Sequence, residues 1–137
     1  MDITLKIGTR SETVQVPEAN LQGILTPNEV SVALTGEAEV RRALNEPIGT
    51  PRLRDIVHPG EKIAIITSDI TRPMPTWKVM PALLDELYDA GVKREDITLV
   101  FALGSHRCHT EEEQRHLAGD RAWSEITCVD GNTADCV

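Results

Sequence analysis

The chain has 137 residues, of which 40% are hydrophobic, and this is enough apolar material for the core of one ordinary domain. Its formal net charge of −8 argues against a surface for nucleic acid or anionic membrane, because Lys and Arg must neutralise the phosphates there. Two Trp, one Tyr and one Phe are too few for a platform that stacks single-stranded nucleic acid, and they leave an aliphatic core that suits a parallel sheet.

The N-terminal part is predicted to begin with a β-hairpin. Apolar and polar residues alternate over residues 3–7 and 13–16, on either side of a turn. Residues 17–27 contain prolines at both ends and predict a loop. Apolar residues at helical spacing predict a short helix over residues 36–44, and one more helical turn is predicted at 53–57.

A strand, a crossover helix and a parallel strand are predicted next. The apolar runs at 63–66 and 97–103 indicate buried strands, and a helix over residues 76–90 lies between them with its apolar residues on one face. Pro81 is unfavourable inside that helix, by about 3 kcal/mol. The helix therefore either begins near Met80 or has kinked first turns, and we favour the late start.

The C-terminal part is predicted to add a helix and a strand. Thr110 followed three residues later by Glu113 is a capping box, which starts a helix that ends at Gly119. Residues 126–129 indicate a further strand, after which the sequence contains no crossover helix. We therefore expect an unfinished sheet, and a chain that is one part of a longer polypeptide or pairs with a second chain.

The predicted fold class is α/β: a Rossmann-like, mostly parallel sheet with flanking helices and an N-terminal β-hairpin, in a single domain over residues 1–137. The three cysteines, Cys108, Cys128 and Cys136, are an odd number without the spacing of a disulfide framework. The sequence shows no charged-then-apolar start and no apolar run of membrane-spanning length, so we expect neither a secretory leader nor a membrane span. We expect a cytoplasmic protein with reduced thiols that binds neither nucleic acid nor membrane.

Polar residues follow the first strand of the crossover unit. Pro73 favours an extended backbone at Arg72, whose guanidinium is suited to gripping a carboxylate or phosphate with two hydrogen bonds. Asp69 is able to orient that guanidinium or to accept a hydrogen bond from a ligand hydroxyl. The alternative is a purely structural loop, in which Asp69 and Arg72 form an ion pair and Asp69 or Thr71 bonds backbone amides.

The loop after the second strand carries a candidate acid–base residue. His106 has an imidazole, the side chain best suited to acid–base catalysis near neutral pH. Gly104 allows a ligand to approach the backbone, and the capping box that follows holds the loop rigidly. Three alternatives stay open for this loop. The first is a surface loop in which one histidine bonds to the backbone. The second is a metal site formed by His106, Cys108 and His109. The third is a nucleophile at Ser105, beside His106.

The two loops are predicted to meet. A right-handed crossover between parallel strands brings both carboxyl ends to one edge of the sheet, and ligands of open α/β sheets bind at that edge. We therefore expect Asp69, Arg72, His106 and Arg107 to share one crevice.

Residues 68–73 (SDITRP) and 102–110 (ALGSHRCHT) resemble motifs of the nickel-dependent lactate racemase family, in its N-terminal part. The similarity continues through residues 45–53, the turn at 58–60 and the last strand. The resemblance implies two α/β domains around a nickel pincer cofactor, a pyridinium mononucleotide tethered to a lysine. Lactate would be oxidised to bound pyruvate by hydride transfer and then reduced from the other face, with one histidine as acid–base group for each enantiomer.

The resemblance also implies roles for individual residues. His106 would be a catalytic acid–base group, and Arg72 would bind the substrate carboxylate together with Arg107. Asp69 and Thr71 would contact substrate or cofactor. Further cofactor contacts would come from three residues at the strand ends: Ser68, Gly104 and Ser105.

The residues that hold the metal are expected elsewhere. In the family, the tethering lysine, the nickel-ligating histidine and the second acid–base histidine lie beyond the position where this sequence stops, and Lys78 and Lys93 do not match their context. We predict the N-terminal domain of an enzyme that racemises a small 2-hydroxy acid; this chain alone would not catalyse the reaction. The alternative is a non-catalytic domain that binds a small anion or a partner.

Overall fold

Residues 1–131 are described here from a computed structural model, and they divide into two units, Met1–Val32 and the chain from Ala33 onward. The first unit contains the predicted hairpin, formed by β1 (Asp2–Ile7) and β2 (Arg10–Gln15) in antiparallel register. A single 3-10 turn follows at Glu18–Asn20.

The second unit is built on a three-stranded parallel sheet. Its strands are β3 (Ile63–Ser68), β4 (Ile97–Ala102) and β5 (Thr127–Gly131), in the order β3-β4-β5. The α/β fold class with a parallel sheet, flanking helices and an N-terminal hairpin is therefore confirmed. The predictions for Cys136 and for the end of the chain fall on residues 132–137, outside the described residues, and the single domain over residues 1–137 stays a prediction.

Five α-helices accompany the sheet within the described residues. The predicted capping box is present at the start of the fourth, where Thr110 accepts from the backbone N–H of Glu113 at 3.3 Å and the Glu113 carboxylate accepts from the N–H of Thr110 at 2.9 Å. The fifth was not predicted and begins directly after Gly119. The helices are α1 (Glu37–Asn45), α2 (Leu53–Ile56), α3 (Thr76–Asp89), α4 (Glu111–Ala118) and α5 (Asp120–Glu125).

The favoured late start of the crossover helix is wrong. Helix α3 begins at Thr76 and contains Pro81. Two contacts hold its first turn in place: the buried hydroxyls of Thr76 and Thr67 lie 2.6 Å apart, and Gly119 approaches Trp77 so closely that an added Cβ would lie 2.9 Å from the Trp77 Cβ. Tertiary contacts thus outweigh the cost of a proline inside the helix.

The core lies on one side of the sheet. Apolar residues of α3, α4 and α5 pack with alternate residues of β4; the largest fully buried side chains are Phe101, Met80, Leu84, Leu87, Ile97, Leu99 and Leu117. None of the helices within residues 1–131 is both long and apolar enough to span a bilayer.

The opposite side of the sheet carries exposed apolar residues. In the parallel register, Ile66 pairs with Val100 and Val100 pairs with Val129, so the three side chains form a row across one face. Ile66 is 72% exposed and Val129 is 39% exposed. Parallel sheets are normally covered on both faces, so this face is atypical of a finished α/β domain.

Candidate functional site

The loops after β3 and β4 meet at one edge of the sheet. Their strands end side by side, with Ser68 paired to Ala102, and the carboxylate of Asp69 hydrogen-bonds Nδ1 of His106. The contact joins residues that are 37 positions apart in the chain. The parallel register therefore brings together the carboxylate and the imidazole that the sequence pattern singled out.

Asp69 is a buried, fully engaged carboxylate. Only 4% of the residue is exposed. Its Oδ2 accepts from His106, while its Oδ1 accepts from the backbone N–H of Thr71 at 3.0 Å and from the Thr71 hydroxyl at 2.7 Å. The hydrogen bond from His106, followed by those from Thr71, holds the pKa of Asp69 well below its usual range, although burial acts in the opposite direction.

His106 turns one ring nitrogen inward and the other outward. An ionised carboxylate only accepts hydrogen bonds, so Nδ1 carries the proton that faces Asp69; the Thr71 hydroxyl lies 3.3 Å from the same nitrogen. The side chain is 49% exposed, and within residues 1–131 no hydrogen-bond partner faces Nε2. Nε2 is thus free to take a proton from a ligand and to return it.

Arg72 is exposed on the loop that carries Asp69. Its backbone N–H donates to the Asp69 carbonyl at 3.2 Å, but within the described residues its guanidinium makes no ion pair. The predicted alternative of an Asp69–Arg72 ion pair is wrong, because His106 and Thr71 occupy both oxygens of Asp69. The other half of that alternative, a bond from Asp69 to a backbone amide, is present.

Arg107 is directed away from this pair. Its guanidinium forks onto Glu113 with two hydrogen bonds of 2.8 Å, and it also donates to the Cys108 carbonyl at 2.9 Å. Because Glu113 belongs to the capping box, Arg107 extends that box instead of joining Asp69 and His106. The hydrogen bond from Arg107 lowers the pKa of Glu113 to about 2.

The three predicted cofactor contacts lie at the ends of β3 and β4. Ser68 is the last residue of β3, and Gly104 and Ser105 form an exposed turn closed by a 3.0 Å hydrogen bond from the N–H of His106 to the Leu103 carbonyl. Gly104 has φ +58°, and an added Cβ would meet nothing within 4 Å. The surface at this turn is therefore open to a ligand.

His109 is a buried structural histidine. Its side chain is 1% exposed; Nδ1 donates to Asp130 at 2.6 Å, and Nε2 accepts from the backbone N–H of Ile70 at 3.0 Å. Residues 1–131 contain no group of three or more His, Cys, Asp or Glu side chains placed to hold a metal. Both ring nitrogens of His109 are taken up by these hydrogen bonds, which contradicts the metal-site alternative at His106, Cys108 and His109.

Asp130 was not identified from the sequence as a residue of this site. It lies near the carboxyl end of β5 and accepts from both the side chain and the backbone N–H of His109. The available signal was a carboxylate directly after the apolar run 126–129, at the same kind of strand end as Asp69.

Comparisons with known proteins identify the family. A family model for the lactate racemase N-terminal domain matches residues 7–136. The lactate racemase of Thermoanaerobacterium thermosaccharolyticum is 36% identical over 121 residues, which are 87% of this chain and 28% of that protein. The lactate racemase of Lactiplantibacillus plantarum is 32% identical over 113 residues, 81% of this chain and 26% of that protein.

A solved structure is similar as well. The lactate racemase apoprotein from T. thermosaccharolyticum superposes with a TM-score of 0.79 at 33% identity, covering 96% of this chain and 30% of that one. The chain thus spans less than a third of the length of these relatives.

Proposed function

Because this chain belongs to the lactate racemase N-terminal domain family, we propose that it supplies one half of an active site that interconverts the enantiomers of a small 2-hydroxy acid. The observation that carries the proposal is the Asp69–His106 pair, whose outward Nε2 lies on the loop next to the one that presents the Arg72 guanidinium. A 2-hydroxy acid offers a carboxylate to the guanidinium and a hydroxyl proton to the imidazole.

The proposed proton steps use residues of this chain. The substrate carboxylate binds Arg72, and Nε2 of His106 takes the hydroxyl proton as the substrate carbon is oxidised. Asp69 stabilises the imidazolium that forms, and Thr71 holds Asp69 in place through two hydrogen bonds. When the ketone is reduced again, a histidine gives its proton to the alkoxide, and this completes the cycle.

The nickel pincer cofactor implied by the family fits this chain only in part. The described residues hold no cluster that could ligate nickel, so we propose that the metal ligands and the tethering lysine belong to further polypeptide. The open turn at Gly104 and Ser105 fits close approach of the organic part, and Ser68 ends the neighbouring strand. When bound, the cofactor would accept the substrate hydride.

We also propose that residues 1–137 form the first domain of a longer, two-domain enzyme. The exposed row of Ile66, Val100 and Val129 supports this, because a parallel sheet needs apolar cover on its second face. A cytoplasmic location stays part of the proposal and is supported by the free thiols of Cys108 and Cys128.

Racemisation by the complete, nickel-loaded protein tests the proposed function. Starting from pure D-lactate or pure L-lactate, we expect chiral chromatography to show conversion to an equal mixture; other small 2-hydroxy acids should be assayed in parallel. If no 2-hydroxy acid is racemised while carboxylate binding still depends on Arg72, the chain is a non-catalytic anion-binding domain.

Arg72→Lys in the complete protein is expected to raise KM by roughly 10- to 100-fold and to change kcat much less. Lysine keeps the charge but loses the planar fork, and a charged hydrogen bond contributes about 1.5–3 kcal/mol. Initial rates against substrate concentration measure the split. Arg115→Lys is the matched control, since Arg115 pairs with exposed Asp120 on the surface. An unchanged KM would remove Arg72 from the binding site.

A further inference from the structure

We propose that His109 and Asp130 form a buried positioning pair, which sets the orientation of the Asp69–His106 pair from the adjacent strand end. The inference rests on the proposed function for its kinetic consequences, although its geometry stands on its own. His109 would not touch the substrate; it would act through the backbone of the loop that carries Asp69.

The pair ties β5 to the loop after β4. Asp130 holds His109 at two points, since Oδ1 accepts from Nδ1 at 2.6 Å and Oδ2 accepts from the backbone N–H at 2.7 Å. Burial alone would raise the pKa of Asp130, but the hydrogen bonds from the side chain and the backbone of His109, together with one from the side chain of Gln114, outweigh it and lower that pKa. Asp130 therefore remains an ionised acceptor, which requires the proton of His109 to be on Nδ1.

The outer nitrogen of His109 then reaches the loop after β3. A backbone N–H only donates, so Nε2 must present a lone pair to Ile70, and the Nδ1 tautomer selected by Asp130 provides it. The ring of Phe101 packs edge-on against the imidazole of His109, and the two ring centroids lie 5.4 Å apart. In this way one buried imidazole connects the ends of all three strands.

The contact falls at the position that decides the direction of Asp69. Ile70 directly follows Asp69, so the bond to Ile70 orients the peptide that joins the two residues. The N–H of the next residue, Thr71, in turn holds Oδ1 of Asp69 and leaves Oδ2 for His106. Without the acceptor at residue 109, the N–H of Ile70 would lack a partner, and the peptide would be held only through its carbonyl, which accepts from the N–H of Arg72 at 3.2 Å.

Three variants of the complete protein separate positioning from packing. His109→Phe fills the space without either hydrogen bond, and we expect kcat to fall by about 10²-fold with KM within about threefold, because small misplacement of a catalytic group has costs of this order. His109→Gln places an amide oxygen near the position of Nε2, where it can accept from the N–H of Ile70. We expect its kcat to be at least about tenfold higher than that of His109→Phe. His116→Phe, an exposed histidine on α4, is the matched control and should leave kcat unchanged.

A spectroscopic readout makes the test independent of activity. With ¹⁵N-labelled histidine, the Nδ1–H of His106 that faces Asp69 should give a downfield proton resonance in the unaltered protein and in His109→Gln. The resonance should be lost or broadened in His109→Phe. If the unaltered protein racemises nothing, the proposed function fails, but this resonance still decides the positioning role.

The proposal is overturned if folded His109→Phe keeps both the kcat and the downfield resonance. It is also overturned if His109→Gln, folded to the same extent by circular dichroism, has no higher kcat than His109→Phe.

Should His109→Phe fail to fold, Asp130→Asn replaces it. The amide keeps the shape of the carboxylate but removes its charge, and we expect kcat to fall by about tenfold with the same loss of the downfield resonance. An unchanged kcat and resonance in Asp130→Asn would equally overturn it.

Discussion

If the proposed function holds, replacing His106 by Gln in the complete protein is expected to lower kcat by about 10³-fold, within the range of about 10²–10⁴ that a positioned acid–base group contributes. Nε2 of His106 is the exposed nitrogen of the Asp69–His106 pair, and glutamine has no titratable group to take its place. In the proposed site the substrate carboxylate still binds Arg72, so we expect KM to change little.

The loss should be the same in both directions. The two enantiomers have equal free energies in solution, so kcat/KM for D-to-L and for L-to-D conversion must fall by the same factor. Polarimetry or chiral chromatography from each pure enantiomer measures both values. His58→Gln is the control, because His58 lies in a turn whose contact to Glu61 uses the backbone N–H at 2.7 Å. Turnover of His106→Gln at the original rate would remove the acid–base role.

The position of Asp69 and His106 at one edge of the sheet was predictable because it follows from topology, although their hydrogen bond was not predicted. Once two apolar runs are assigned to parallel strands with a helix between them, their carboxyl ends must share an edge of the sheet. The capping box at Thr110 was predictable for a different reason: its two hydrogen bonds lie within four residues and need no tertiary structure.

The partners of the charged side chains were not predictable. Arg107 follows the candidate histidine directly, yet its side chain turns to Glu113 six residues later, because the capping box brings that carboxylate within reach. His109 and Asp130 are 21 residues apart, and their contact depends on the register of β5 against β4. The early start of α3 similarly depends on the contact of Thr76 with Thr67 across the core.

Asp69→Asn should have an effect nearly as large as the loss of His106, and the geometry specifies why. The N–H and hydroxyl of Thr71 both donate to one oxygen of Asp69, so an asparagine there must turn its amide oxygen to Thr71. Its NH₂ group then faces Nδ1 of His106 and donates to it. This selects the opposite tautomer, with the proton on Nε2, where the substrate hydroxyl needs a lone pair.

On the proposed function, we therefore expect Asp69→Asn to lower kcat by about 10²–10³-fold in the complete protein, since the tautomer would be wrong and the charge proposed to stabilise the imidazolium would be missing. Steady-state rates measure the loss. Asp120→Asn is the matched control, because Asp120 is exposed and pairs only with Arg115 among the described residues. A near-normal kcat in Asp69→Asn would show that Asp69 does not orient His106.

The pH dependence of stability provides a second test of the same contact. The pKa of Asp69 is lower in the folded protein than in the unfolded chain, so its carboxylate contributes stability above the ordinary Asp value of about 4, and this contribution is lost as the pH falls toward the folded value. The unaltered protein should therefore unfold at a higher temperature than Asp69→Asn near neutral pH, with a difference that narrows below about pH 4. Thermal unfolding of both proteins between neutral and acidic pH measures it. A difference that stays constant down to the most acidic point would mean that the Asp69 carboxylate is not the source of the stabilisation.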